Sequence, residues 1–358
     1  MTKIIAFYLP QYHEIKENNE WWGEGFTEWT NVKNAKALYR DHYQPKKPYK
    51  DNYYCLLENE TQKWQSDLAR KYGIYGFCYY HYWFNGKMLL EKPMENMLNN
   101  PDINIKFCIS WANEPWTKTW TGKDKEVLMP QKYGGIEEWE EHIKYLIPFF
   151  KDSRYILKDN KPVFLLYRAE NIVNCGEMIE YWERRLKEQG FSGIYVIETL
   201  TGWQKKEKID NSSAVVPMEP MHCFARDLSL LERIWHSLIK KLKLQRFHIY
   251  NFYSYDIIWE KIIKKNIETK KDVYYGAFMN WDNTARKGEN AIVIKGFSLE
   301  KFKKYFDLIY KRSLVENKDF LFFNAWNEWS EGTYLEPDDK YQFEYLKIIS
   351  EVKKNKQI

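Results

Sequence analysis

Eight short apolar runs punctuate this chain, at 4–9, 76–80, 105–110, 163–167, 194–198, 214–218, 273–278 and 320–324. Most are separated by segments with helical spacing, at 60–71, 88–99, 136–150, 176–189, 255–268, 299–313 and 341–354. Short buried strands that alternate with helices predict a parallel sheet, and eight of them predict a (β/α)8 barrel of the α/β class. Nearly every run also gives way at its far end to Trp, Tyr, His, Asn or Glu. That is the face on which barrel enzymes carry their sites, so the pattern constrains fold and site location together. The 358 residues suit one such barrel, with long strand-end loops. No linker, repeat or low-complexity stretch suggests a second domain, so residues 1–358 read as a single barrel with a basic insertion near 228–248.

The last run ends in the stretch that concentrates the chemistry. Phe320-Leu-Phe-Phe-Asn324 is strand-like, and Ala325-Trp326-Asn327-Glu328-Trp329-Ser330-Glu331-Gly332 follows at once. Glu328 and Glu331 are three residues apart in a loop flanked by Trp326, Asn327 and Trp329. Two neighbouring carboxyls raise each other's proton affinity, which suits one acid and one base at neutral pH. Aromatic side chains around such a pair fit a sugar, whose ring faces stack on indoles and whose hydroxyls bond acids and amides. Aromatics make up 18% of the chain, including 16 Trp and 28 Tyr, more than core packing usually requires.

Candidate substrate contacts follow from the other strand ends. They are Tyr8 and His13 after the first run, and Tyr80, His81 and Trp83 after the second. Trp111, Asn113, Glu114 and Trp116 follow the third. Glu198 and Glu219 end the fifth and sixth, and Trp281 with Asp282 follows the seventh, ahead of Arg286. Trp29 stands in the aromatic loop after the first run. His13, His81 and His222 at three strand ends make a metal conceivable. No His-x-His or His-x3-His pair supports one, so neither metal nor cofactor is expected.

Several classes are excluded or disfavoured. Fifty-five Lys and Arg against 50 Asp and Glu leave a net charge of +5, too small to argue for nucleic acid. There is no Walker A sequence and no GxGxxG after a strand. The five cysteines, Cys55, Cys78, Cys108, Cys175 and Cys223, show no metal or disulfide spacing and fit a reducing compartment. The first residues read directly as a strand and not as a signal peptide, so a cytoplasmic protein is expected. Residues 233–248 place Lys240, Lys241, Lys243 and Arg246 among Ile234, Trp235, Leu238, Ile239, Leu242 and Leu244. Such a basic amphipathic segment can touch an anionic leaflet, which would put the protein at the inner face of the membrane. Packing of its apolar face on the barrel itself is the alternative.

Five stretches carry a family resemblance. They are Ala6-Phe7-Tyr8-Leu9-Pro10-Gln11-Tyr12-His13, Gly25-Phe26-Thr27-Glu28-Trp29, Ser110-Trp111-Ala112-Asn113-Glu114, Asn280-Trp281-Asp282-Asn283-Thr284 and Trp326-Asn327-Glu328-Trp329-Ser330-Glu331-Gly332. The chain resembles the WbsX-type proteins of bacterial polysaccharide biosynthesis, which in turn resemble the (β/α)8 endo-mannosidases of glycoside hydrolase family 99. The resemblance implies a metal-free site at the strand ends. It also implies roles for the acids. Glu328 would act as base on the substrate's own 2-hydroxyl, which attacks the anomeric carbon to give a 1,2-anhydro sugar. Glu331 would protonate the leaving oxygen and then activate the incoming hydroxyl, with net retention. The expected function is cleavage or transfer of a glycosidic bond in O-antigen or capsule assembly, on an oligosaccharide or lipid-linked glycan. A glycosyltransferase with a nucleotide- or lipid-linked donor, and a non-catalytic glycan-binding protein, are the alternatives.

Overall fold

The computed structural model describes the chain except for residues 118–125, 203, 205, 243, 248–249 and 357–358. All eight expected strands are present. They are β1 (Lys3–Tyr8), β2 (Gly76–Phe84), β3 (Lys106–Trp111), β4 (Lys161–Leu166), β5 (Tyr195–Leu200), β6 (Ala214–Pro217), β7 (Asp272–Val273 continuing as Tyr275–Phe278) and β8 (Phe320–Asn324). Each neighbouring pair is parallel, and β1 lies between β2 and β8. The first piece of β7 pairs with β6 and the second with β8, which brings the sheet back on itself as a barrel. Gly276 makes that crossing feasible, because a Cβ there would run into the carbonyl oxygen of Pro217. The strands are buried on both faces, which explains why they read as unbroken apolar runs instead of alternating ones.

The outer layer is α1 (Asn59–Lys71), α2 (Lys92–Asn99), α3 (Ile136–Lys151), α4 (Cys175–Glu188), α5 (Leu230–Lys241), α6 (Tyr255–Lys264), α7 (Leu299–Val315) and α8 (Glu344–Lys354). Two starts differ from expectation. The helix expected over 88–99 begins at Lys92, because Lys87–Leu89 pairs antiparallel with the end of β2 and Pro93 is suited to a first helical turn. The helix expected over 341–354 begins at Glu344. The Asp338 carboxylate takes the Tyr341 N–H at 2.5 Å and holds the preceding residues in a turn. One apolar core runs from Ile4 to Val352.

The expected basic segment forms α5, followed by a short helical turn at Leu244–Phe247. Lys243 and His248 of that segment lie outside the described residues. No helix among the described residues is long and apolar enough to cross a membrane.

Candidate active site

The loop after β8 is clamped from several sides. Asn327 accepts the Leu9 N–H at 2.8 Å and donates to the Leu9 carbonyl at 3.0 Å, which ties it to the end of β1. Trp329 stacks on Tyr334 with ring centroids 3.9 Å apart. Its indole N–H donates to Glu336 at 2.7 Å, and Glu336 also accepts from Tyr54 at 2.8 Å and Gln65 at 2.7 Å. Asn327–Glu328 pairs with Thr333–Tyr334, and the chain turns at Gly332, whose φ is +62°. A Cβ at Gly332 would lie 2.8 Å from the Asp282 carbonyl oxygen. The two acids therefore stand on a fixed turn whose supports are themselves buried.

Their partner is Arg286, from the short helix Thr284–Lys287 after β7. Its guanidinium reaches Glu331 at 2.5 Å and Glu328 at 3.0 Å, and it holds a third acid, Glu28, at 2.6 and 3.1 Å. Glu28 opens the helix Glu28–Asn34 and is fully buried. One guanidinium thus faces three carboxylates, of which Glu28 is fully buried, Glu328 nearly so and Glu331 partly open to the cavity. Burial pushes the Glu328 carboxyl up to about 8; Arg286 opposes the rise, and Glu331 and Glu28 add to it. Burial raises Glu331 as well, again opposed by Arg286 and reinforced by Glu28. Burial thus favours the protonated form of both carboxyls, and as two interacting groups they compete for protons.

Glu328, Glu331 and Arg286 line a cavity of about 500 Å³ at the C-terminal ends of the strands. Its aromatic walls are Trp22, Tyr80, Tyr82, Trp116, Tyr167 and Trp281, with Glu114, Gln11 and Asn324 among its polar groups. Of the residues expected at the site, the cavity brings together Tyr80, Glu114, Trp116, Trp281, Glu328 and Glu331.

The others stand elsewhere, each with a structural partner. Tyr8 donates to Gln65 of α1 at 2.6 Å. His81 meets His142 of α3 at 3.0 Å, and burial pushes His81 down to about 3. Trp83 donates to Glu138 at 2.5 Å and stacks on His142, while Trp111 donates to the Trp83 carbonyl at 3.1 Å. Trp29 packs on Trp329, and Trp326 packs on Phe77. Asn113 exchanges two hydrogen bonds with the Arg168 backbone. Glu198 accepts from the N–H groups of Lys208 and Ile209. His13 faces a different surface depression, where burial lowers it to about 4. Asp282 points away from the acids, to His42 at 2.9 Å, Gln44 at 2.8 Å and Lys46 at 3.4 Å. Glu219, His222 and Asp227 form a cluster with metal-ligand geometry, but the Lys265 ammonium sits among them, 2.8 Å from Asp227 and 2.7 Å from His222.

Sequence reasoning missed Glu28, Tyr82, Tyr167 and Trp22, and it named Arg286 only as the residue that follows Trp281 and Asp282, with no role. For Tyr82 a signal existed. Side chains alternate along a strand, so Tyr80 and Tyr82 share the inner face while His81 and Trp83 face the helices.

The model of the family "Glycosyltransferase WbsX" matches residues 4–349. The chain belongs to that family. It is 27% identical over 351 residues to the WxcX protein of Xanthomonas campestris pv. campestris, covering 96% of this chain and 48% of that protein. The chain therefore spans about half the length of the curated relatives it matches. Among solved structures it is similar to a "glycoside hydrolase-like protein", with a TM-score of 0.61 and 14% identity over 98% of this chain and 93% of the other. It is also similar to the GH99 endo-alpha-mannosidase from Bacteroides thetaiotaomicron, with a TM-score of 0.55 and 13% identity over 99% and 98% of the two chains. At these identities the two structures speak for the barrel alone.

Proposed function

We propose that this protein is a retaining carbohydrate-active enzyme that cleaves or transfers a glycosidic bond during bacterial surface polysaccharide assembly. The observation that carries the reading is the pair Glu328 and Glu331, on the wall of one aromatic cavity and bridged by one guanidinium. The two carboxyls are coupled, and the reaction starts from the form in which Glu331 carries the proton and Glu328 is ionised. Glu328 then takes the proton of the substrate's 2-hydroxyl as that oxygen bonds to the anomeric carbon. The glycosidic C–O bond breaks, and Glu331 gives its proton to the departing oxygen. Water or a second sugar then donates a proton to Glu331 and opens the anhydro ring, and the 2-oxygen recovers its proton from Glu328. Tyr80, Tyr82, Trp116, Tyr167 and Trp281 supply stacking and hydroxyl contacts for an oligosaccharide or lipid-linked glycan. The cytoplasm, where lipid-linked glycans of this kind are built, is the proposed site of action.

The test is mass spectrometry of the host's lipid-linked glycan intermediates, comparing wild type with Glu331→Gln. Intermediates one sugar shorter in the mutant mean that the enzyme builds by transfer. Longer ones mean that it trims by hydrolysis. Unchanged intermediates sink the reading and favour a glycan-binding protein. The family description favours a second reading, a glycosyltransferase with a nucleotide- or lipid-linked donor. Saturable heat release on titration with a nucleotide-sugar would support it.

A further inference from the structure

Helix α5 is built the wrong way round for a barrel helix. A surface helix ordinarily turns its apolar stripe to the core. In α5 the large apolar residues face out instead. Leu230 is 73% exposed, Leu231 79% and Trp235 52%, and Leu242 just beyond the helix is 62% exposed. Ile234 and Leu238 are exposed beside them. At about 100° per residue these six side chains fill one continuous arc of about 140°. The opposite side holds the helix to the protein. Ile239 is buried there, and His236 stacks on Tyr253 with ring centroids 3.9 Å apart.

The charges say what the outward face meets. Residues 228–248 contain five basic residues, Arg233, Lys240, Lys241, Lys243 and Arg246, and a single acid, Glu232. Glu232 is already paired with Lys261 at 3.3 Å. A second copy of this segment would therefore bring no free acid to neutralise the basic end. A plane of anionic lipid headgroups supplies the negative charge, and the acyl boundary beneath it accepts Leu and Trp side chains.

The placement of the helix is functional as well. It is inserted after β6, at the same end of the barrel as the cavity, and Met221 between β6 and α5 lines that cavity. The chain then returns through Asn251–Ser254, which pairs with Ile292–Lys295, just past the Arg286 helix.

We infer that α5 forms a docking surface for an anionic lipid bilayer, seating the open end of the barrel toward the membrane. This inference is independent of the proposed reaction, because lipid binding needs neither Glu328 nor Glu331.

The test is sedimentation of the full chain with vesicles of mixed phosphatidylglycerol and phosphatidylcholine, alongside vesicles of phosphatidylcholine alone. At low salt the protein should pellet with the anionic vesicles and much less with the neutral ones, and added salt should release part of it. The double variant L231E/W235E should bind at least about tenfold more weakly, since it places two charges on the face that enters the acyl boundary. Thermal unfolding equal to wild type shows that this variant is folded. Lys241→Glu should weaken binding to anionic vesicles while leaving the weak binding to neutral ones unchanged. No partition onto anionic vesicles, or equal partition by wild type and L231E/W235E, overturns the proposal. So does a wild-type dimer that L231E/W235E abolishes, which would assign the face to a second copy of the chain.

Discussion

Arg286 brings one positive charge to three carboxylates, and that imbalance governs the site. Burial disfavours three ionised carboxyls around this guanidinium, so the coupled Glu328–Glu331 pair tends to retain a proton. Burial first, and then the Glu331 and Glu28 charges, push the Glu328 carboxyl up to about 8 against Arg286. Two substitutions should move the ionisations in opposite directions. Arg286→Met removes the opposing cation, raises both carboxyls further, and shifts the acid limb of the pH–rate profile to higher pH. Glu28→Gln removes a negative neighbour and shifts that limb to lower pH. Profiles that move the same way in both variants would contradict this charge balance. Stability carries its own signature. A carboxyl raised in the folded protein contributes stability that is fully present below its unfolded value of about 4.3. That contribution is lost as pH rises through about 8. Glu328→Gln mimics the protonated form, so its melting temperature should gain on wild type as pH rises across that window. Its activity should nonetheless fall by about 10²–10⁴-fold, the usual loss for a general acid or base.

At the scale of elements, the turn at Gly332 and the Asp282 loop hold the acids from behind. Gly332→Ala forces a side chain into left-handed backbone at about 1–2 kcal/mol. It also presses on the Asp282 carbonyl and the Lys46 side chain. Glu331 is the preceding residue, so activity should drop more than the stability loss explains, as measured by turnover beside urea unfolding. Asp282 is a buried anion held well below the ordinary carboxylate range, despite its burial, by Lys46, His42 and Thr284. Such a group contributes stability above its unfolded value of about 3.9, lost as pH falls. Asp282→Asn should cost about 3–5 kcal/mol at pH 7, the usual loss when one member of a buried pair is removed. Urea unfolding should show the difference begin to shrink only below about pH 4 and persist in large part at about pH 3, because the contribution is lost as pH falls through the much lower folded-state value. These elements also show what was legible beforehand. The strands were, because burial on both faces leaves an unbroken apolar signal. Glu328 and Glu331 could be singled out because an acid pair three residues apart is a local pattern. The walls were harder to read. Trp83, Trp111, Trp326 and Trp329 sit at strand ends but face the helices or the loop behind the site. Glu28 and Arg286 are 258 residues apart and meet only because the strand-end loops converge. Spacing along the chain cannot express that meeting.

For the whole molecule, the decisive feature is the position of β1 between β2 and β8. The first strand cannot be fully paired until residues near 320 are in place, and β7 completes the ring by pairing with both β6 and β8. Contacts between the two ends of the chain are polar as well as apolar. The Thr2 hydroxyl donates to the Lys318 carbonyl at 2.8 Å, and Asn327 grips the Leu9 backbone. With one apolar core running from Ile4 to Val352, no cut leaves a fragment with a complete interior of its own. Residues 1–358 should therefore unfold as one cooperative unit in urea. Far-ultraviolet circular dichroism and tryptophan fluorescence should report coincident midpoints. The fluorescence probe is well distributed for this, since Trp111, Trp182, Trp259 and Trp326 are fully buried at separate places around the barrel. Helix α5 is the stringent part of the test, because only its inner side, at His236 and Ile239, is anchored. Limited proteolysis should cut first near this insertion, and the nicked protein should keep its native midpoint, because the cut crosses no barrel strand. Two separated transitions, or a stable folded fragment released by that cut, would divide the barrel into two units and remove the single-domain reading.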